Sequence, residues 1–200
     1  MPREYRKSKR AEKEEETRLR IVEAAVELHG EVGGAAATAT AIAERAGVGR
    51  VTYYRHFPDE RTLLQACTGH YLGLNPPPDP RPWTEIGDPD QRTRVALCEL
   101  YAFYGRTETM LWRAELEVPT NPILAEAMQP FGQYLDSVRE ILLAGRANAG
   151  DPVLRAVVGH ALAFGSWHSL VRDQELSNET VVALMLCLIA EPCSDLPLAD

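Results

Sequence analysis

Short polar and cationic side chains crowd one segment of the sequence, GRVTYYRHF at residues 49–57. Arginine can pair with guanine O6 and N7 in a DNA major groove, and threonine can touch a thymine methyl. Tyrosine and histidine suit phosphate oxygens, which set the register of a protein on DNA. Such a cluster is a poor choice for packing alone. We therefore predict DNA contacts from Arg50, Thr52, Tyr53, Tyr54, Arg55 and His56.

The residues before this segment have the pattern of a helix-turn-helix. Thr38 is an N-cap candidate, and its hydroxyl at a helix N-terminus is a further phosphate donor. Ala43 or Ala46 supplies the small side chain where two helices cross, and Gly47 supplies the turn. The alternative interpretation is an amphipathic helix pair that only packs within an all-α core.

Helical periodicity continues through the rest of the chain, and no alternating strand pattern exceeds four residues. We predict an all-α protein, with an N-terminal three-helix helix-turn-helix head followed by a C-terminal helical bundle. The stretch NPPPDPRP excludes helix and strand and marks a boundary. The predicted parts are a flexible basic arm at 1–15, a head with a connecting helix at 16–74, a linker at 75–82, and a second domain at 83–200. In that domain we predict separate helices ending near 104 and 117, a kink or split at Pro130, and a last helix capped by Ser177.

The N-terminal residues carry a charge opposite to that of the whole chain, whose formal net charge is −8. All three lysines lie in the first 13 residues. A solvated tail and a DNA-contacting arm are both consistent with this asymmetry. In the second reading, Lys7, Lys9 and Arg10 contact DNA.

Over residues 17–66 the sequence resembles the TetR family of transcriptional regulators. The segments RIVEAAVELHGEVGG, TATAIAERAGV and GRVTYYRHFPDERTLLQA carry the resemblance. It implies a homodimer whose heads bind a palindromic double-stranded operator, and a C-terminal domain that binds a small molecule and dimerises through its last two helices. Recognition-helix roles then extend to Val51, and backbone-anchoring roles to Thr40. We expect a repressor that is released by a small-molecule ligand.

Some positions depart from the family pattern. Glu60 stands where a phosphate-contacting lysine is usual, and Gly49 stands where serine is common. Arg61 is a possible substitute cation, and His29 replaces a core aromatic, where we expect a core histidine. These departures support an alternative function, a dimeric small-molecule-binding module that has weakened or lost DNA binding.

Most aromatic residues lie beyond the linker, where the majority must be core. A few are candidates to line a cavity between helices. The predicted pocket comprises Tyr101, Tyr104, Trp112, Phe131, Tyr134, Phe164, Trp167 and His168. The aromatic character indicates a flat or largely apolar ligand.

The last helix is apolar all round at 181–190, and the helix over 153–171 carries a long apolar stripe. Such helices are buried on every side, either within one chain or by a partner subunit. Together with the resemblance, these apolar stripes favour a homodimer over burial within one chain.

Several function classes lack support in this sequence. The four cysteines show no zinc-ligand spacing, and no nucleophile elbow, P-loop or dinucleotide motif is present. We expect no metal, no cofactor and no enzymatic activity. The basic N-terminus has no apolar stretch, and the longest apolar run is too short to cross a bilayer. We expect a cytoplasmic protein that does not enter the membrane.

Overall fold

A computed structural model describes residues 2–34 and 36–190, with side chains from residue 9 onward. Within these ranges the chain forms α-helices and no strand, so the all-α prediction is confirmed. The α-helices are α1 (Pro2–Val32), α2 (Ala39–Arg45), α3 (Arg50–His56), α4 (Glu60–Leu74), α5 (Pro89–Glu117), α6 (Pro122–Leu143), α7 (Pro152–Leu162), α8 (Phe164–His168) and α9 (Asn178–Ala190). None of the described helices is long and apolar enough to cross a membrane.

The helices group into two compact units. The first comprises Met1–Pro76 with Trp112–Met128, and the second comprises Pro77–Leu111 with Gln129–Asp200. This grouping differs from the predicted boundary, because Trp112–Met128 joins the N-terminal unit although it lies beyond the proline linker.

The predicted N-terminal arm is helical. Residues 2–15 form the first half of α1, in place of the irregular segment expected from their polarity. The stretch is rich in Arg, Lys and Glu, which favour helix. Arg10 also pairs with Glu14 one turn later, at 3.3 Å. The absence of an apolar stripe therefore did not indicate the absence of a helix.

The core of the first unit is formed by apolar faces of α1 to α4 together with residues that follow α5. Ile21, Ile42 and Phe57 are almost fully buried there. Leu124 and Ala127 of α6 belong to the same cluster. The head therefore buries apolar surface from a segment outside the helix-turn-helix itself.

The core of the second unit is largely aromatic. Tyr101 and Tyr104 of α5 are fully buried, and their hydroxyls donate to the carbonyl oxygens of Ala161 and Leu162 at the end of α7. Trp167 of α8 is also buried, and its ring nitrogen donates to Asn178 Oδ1 at 2.9 Å. Each polar tip is satisfied, which makes burial of these large rings favourable.

Two local predictions are wrong in detail. The helices expected on either side of residues 104–108 are one continuous α5. Of the two alternatives predicted at Pro130, the split is not observed, because Pro130 lies inside a continuous α6. The helix expected over 153–171 is divided into α7, α8 and a π-helical turn at Ser169–Asp173.

Candidate nucleic-acid interface

The helix-turn-helix is built by local hydrogen bonds around a glycine turn. Thr38 caps α2 by accepting from the Ala41 amide at 3.2 Å. Gly47 has φ +66°, which a residue with a side chain rarely adopts. The Val48 amide then donates to the Ala43 carbonyl at 2.9 Å. These contacts fix the direction in which α3 leaves the turn.

One face of α3 faces inward. Tyr53 is only 5% exposed, and its ring lies against Phe57 with the centroids 6.3 Å apart. Burial raises the pKa of the Tyr53 hydroxyl. The prediction that Tyr53 contacts DNA is therefore corrected: its side chain belongs to the core of the head.

The opposite face of α3 is exposed and carries four of the predicted residues. Arg50 and Arg55 are exposed cations, Tyr54 is 45% exposed and Val51 is 86% exposed. Tyr54 packs edge-on against Tyr53, with the centroids 5.1 Å apart. The buried Tyr53 ring thus packs against the exposed Tyr54 ring. The outer face of α3 presents positive charge, a hydroxyl and an apolar group.

Two other predicted residues lie at the side of α3. Thr52 and His56 are half-buried, four residues apart on the helix. The Nε2 atom of His56 is buried and has no hydrogen-bond partner among the described residues. That atom is thus not presented to a phosphate as the sequence predicted.

The remaining predicted contacts lie on α2 and α1. Thr38 and Thr40 are exposed at the start of α2, and the capping hydroxyl of Thr38 can still donate its proton. Lys9 and Arg10 are exposed on α1, where Arg10 pairs with Glu14. The side chain of Lys7 lies outside the described residues.

Glu60 and Arg61, the two residues at the start of α4 where the family pattern has a phosphate-contacting lysine nearby, bind residues of α6 and of the loop that precedes it. Glu60 accepts from the Asn121 side chain at 3.2 Å. Arg61 forms an ion pair with Glu126. A guanidinium paired in this way is a weaker candidate for replacing the usual lysine at a phosphate.

Sequence reasoning missed a second set of contacts at the junction between α1 and α2. The amide of Gly34 donates to Glu117 Oε1 at 2.8 Å, although the two residues are 83 positions apart. Arg113 donates to the Glu31 carbonyl at the end of α1, also at 2.8 Å. The Gly33-Gly34 pair was the available signal, because a side chain at Gly34 would collide with the Glu117 carboxylate.

An arginine on α2 fastens this helix to α1. Arg45 donates to Glu27 Oε2 at 3.1 Å and to both carboxylate oxygens of Glu31, at 3.0 and 2.8 Å. Hydrogen bonding from Arg45 holds the pKa of the Glu31 carboxyl below its usual range. This cation has a structural role within the head.

His29 is half-buried near the end of α1, with its Nδ1 3.8 Å from the Cys67 sulfur. Burial lowers the pKa of its imidazole, although the carboxylates of Glu117 and Glu60 act in the opposite direction. The residue is part of the packing of the head, in the position expected for a core histidine.

Most of the predicted pocket residues pack against one another in the second unit. Five of them, Tyr101, Tyr104, Phe131, Phe164 and Trp167, are buried core residues of the second unit. Tyr134 stacks on Phe131 and donates to the Pro78 carbonyl at 2.9 Å, which fastens α6 to the linker. Trp112 belongs to the first unit and is partly exposed.

His168, another predicted pocket residue, joins a charged cluster. Its Nε2 lies 3.6 Å from Glu108 Oε1, and Glu108 also pairs with Arg172. Hydrogen bonding from Arg172 lowers the pKa of the Glu108 carboxyl. An open groove of about 280 Å³ lies elsewhere in the second unit, and its lining includes Arg146, Leu154 and Ile189 but none of the predicted residues.

The head matches a known protein family over residues 21–67, the family described as "Bacterial regulatory proteins, tetR family". No curated protein matches the chain. Among solved structures, a putative fatty acid metabolism regulator of Clostridium perfringens is 16% identical, with 85% of this chain and 96% of that one covered at a TM-score of 0.61.

Two further structures are similar over most of the chain. NalD of Pseudomonas aeruginosa, the secondary repressor of the MexAB-OprM multidrug efflux pump, is 23% identical, with 90% and 96% coverage and a TM-score of 0.60. FadR of Thermus thermophilus, a transcriptional repressor in complex with lauroyl-CoA, is 21% identical, with 92% and 99% coverage and a TM-score of 0.54. The TetR-family model therefore matches the helix-turn-helix segment that the sequence pattern predicted, and the solved structures share the fold over most of the chain.

Proposed function

We propose that this protein is a sequence-specific DNA-binding transcriptional regulator, a repressor that a small molecule releases from its operator. The observation that carries the proposal is the outer face of α3. It presents Arg50, Val51, Tyr54 and Arg55 on a helix whose other face is anchored in the core by Tyr53. No residue in the described part of the chain pairs with Arg50 or Arg55, so these cations remain available to a ligand.

The geometry of the head suits insertion of α3 into a major groove. The guanidinium of Arg50 would bond guanine O6 and N7, which identifies the base. The hydroxyls of Tyr54 and Thr38 would bond phosphates on the groove walls and set the register. The inner face anchors α3 against the head, so little conformational entropy is lost on binding.

We propose a homodimer formed through the last two helices. One face of α9 is buried in its own unit through Val181, Met185 and Ile189. The other face is apolar and exposed, and consists of Ala183, Leu184, Cys187 and Leu188. A second copy that covers this face would bury it and would place two heads on a palindromic operator.

Oligomeric state tests the dimer. Replacing Leu184 and Leu188 by glutamate should convert the dimer to a monomer in light scattering, since buried carboxylates would face each other. Leu116→Glu is the matched control, because Leu116 is also exposed but lies in the first unit. A double variant that remains dimeric would place the interface elsewhere.

We infer that the effector is a largely apolar small molecule bound by the second unit. Support comes from the aromatic composition of that unit and from the similar fold of a repressor crystallised with lauroyl-CoA. Release requires that the effector bind the DNA-free arrangement of the heads more tightly than the DNA-bound one. Lauroyl-CoA is a suitable first probe, with dissociation of bound operator as the readout.

DNA selection tests the principal proposal. The purified protein should enrich one palindromic sequence from genomic fragments at about 0.15 M salt, where non-specific phosphate attraction is weakened. Replacing Arg50 and Tyr54 by alanine should abolish this enrichment and leave the helical fold and oligomeric state intact. Arg94→Ala, at an exposed arginine of α5, is the control and should bind as the native chain does.

The alternative is a dimeric small-molecule-binding module without DNA binding, which Glu60 and Gly49 support. No enrichment from a folded, ligand-stripped dimer would favour it. Stripping is achieved by unfolding and refolding before selection, because a bound effector would also prevent enrichment.

A further inference from the structure

Val51 is the most exposed large hydrophobic side chain in the described part of the protein. It is 86% exposed, compared with 69% for Leu74 and 60% for Leu116. It lies in the first turn of α3, directly after Arg50. Among the described residues, the most exposed large hydrophobic side chain is therefore on the helix that carries the candidate DNA contacts.

Neither local folding nor packing explains a valine at this position. Valine is a poorer helix former than alanine because its branched side chain loses rotamer freedom in a helix. Its exposure means that it contributes almost nothing to the core of the head. Valine at this position therefore stabilises the seven-residue α3 neither by helix propensity nor by burial.

The surroundings of Val51 indicate what covers it. Tyr54 and Arg55 follow three and four residues later, so they share its face of the helix. With Arg50 they surround the valine with hydrogen-bond donors and positive charge, which are complementary to DNA. An apolar protein partner would cover Val51 but would offer no anionic group to Arg50 and Arg55.

Only one base presents an apolar group in the major groove, namely thymine with its C5-methyl. We propose that Val51 reads the methyl group of a thymine in each half of the operator, next to the base that Arg50 contacts. This inference rests on the proposed function. The proposed function by itself does not say which base stands next to the one that Arg50 contacts, and this inference specifies a thymine there.

Thr52 is the competing reader, since its side chain also ends in a methyl group. It is half-buried, whereas Val51 projects almost entirely into solvent. The two residues point in different directions around α3, about 100° apart. Variants of both positions therefore distinguish the two assignments.

The experiment begins with selection of a binding sequence from a random double-stranded library. Thymines of the selected site are then replaced, at symmetric positions, by deoxyuridine, which lacks only the methyl group. Affinity is measured for the native protein, Val51→Ala and Thr52→Ser. Burial of one methyl group corresponds to about fourfold in affinity, so replacement in both half-sites should weaken native binding about 15-fold.

The expected result is one pair of thymines whose methyl groups matter to the native protein. Val51→Ala should bind the thymine and deoxyuridine sites within about twofold of each other, whereas Thr52→Ser should keep the native difference. Circular dichroism melting checks that both variants are folded.

Two results overturn the inference while leaving the proposed function intact. In one, a site is selected but no thymine methyl affects native binding. In the other, Thr52→Ser abolishes the methyl dependence and Val51→Ala preserves it. Failure to select any sequence contradicts the proposed function itself, so the two failures are distinguishable.

Discussion

Tyr53 and Tyr54 are adjacent and chemically identical, but the structure places them on opposite faces of α3. Tyr53 is 5% exposed and Tyr54 is 45% exposed. The same substitution at the two positions should therefore separate folding from DNA binding. This comparison tests whether the outer face of α3 has been correctly assigned.

The effect on stability follows from burial. Tyr53→Ala removes a buried ring that lies against Phe57 and Tyr54, and should cost about 3–5 kcal/mol of unfolding free energy. Tyr54→Ala loses mainly the edge-on contact with Tyr53, which is worth about 1 kcal/mol. Because a domain is stable by only about 5–15 kcal/mol, urea unfolding will resolve this difference.

The effect on DNA binding requires variants that retain the ring. Tyr54→Phe removes only the hydroxyl, and losing a hydrogen bond to a charged phosphate should weaken binding about tenfold per head. Tyr53→Phe should leave operator affinity within about twofold, because the Tyr53 side chain is buried. Fluorescence anisotropy with a labelled operator measures both.

Two outcomes would refute this reasoning. Equal destabilisation by Tyr53→Ala and Tyr54→Ala would show that α3 is rotated relative to the structure. Loss of DNA binding in a stable Tyr53→Phe variant would show that the Tyr53 hydroxyl reaches DNA after all.

Three further predictions concern the stability of the two units. Gly47→Ala should destabilise the head by about 1 kcal/mol through its backbone φ of +66° alone, since no atom lies within 4 Å of the added carbon and no clash contributes. Gly73→Ala, in α4 with equal space, should instead stabilise the chain by about 0.5–1 kcal/mol. Equal effects of the two substitutions in urea unfolding would contradict the argument. Tyr101→Phe should cost about 1–2 kcal/mol by leaving the buried Ala161 carbonyl without its donor, and an unchanged unfolding midpoint would contradict that bond. The lowered pKa of His29 predicts that its contribution to the free energy of unfolding is fully present above pH 6.5 and is lost as the pH falls below that value, because the unfolded chain binds the proton first. His29→Gln should remove this part of the pH dependence. An unchanged pH profile of that variant would exclude His29 as its source.

The sequence by itself determined the fold class, the helix-turn-helix and most of the outer face of its second helix. These features depend on local chemistry. The cap at Thr38, the glycine turn at Gly47 and the helical spacing of apolar residues act over a few positions along the chain. The same local patterns sufficed for the family resemblance, which is confirmed over residues 21–67.

Other features were decided only by the tertiary structure, because they depend on residues that meet across long stretches of chain. Periodicity in a seven-residue helix did not distinguish Tyr53 from Tyr54, and packing against Phe57 decided it. The bond from Gly34 to Glu117 joins residues 83 positions apart, beyond the reach of any local pattern. The aromatic residues of the second unit were candidates for either a core or a cavity, since both use the same side chains. Five of the eight are buried in the second unit, where the polar atoms of the two tyrosines and of Trp167 find acceptors far along the chain or in the next helix.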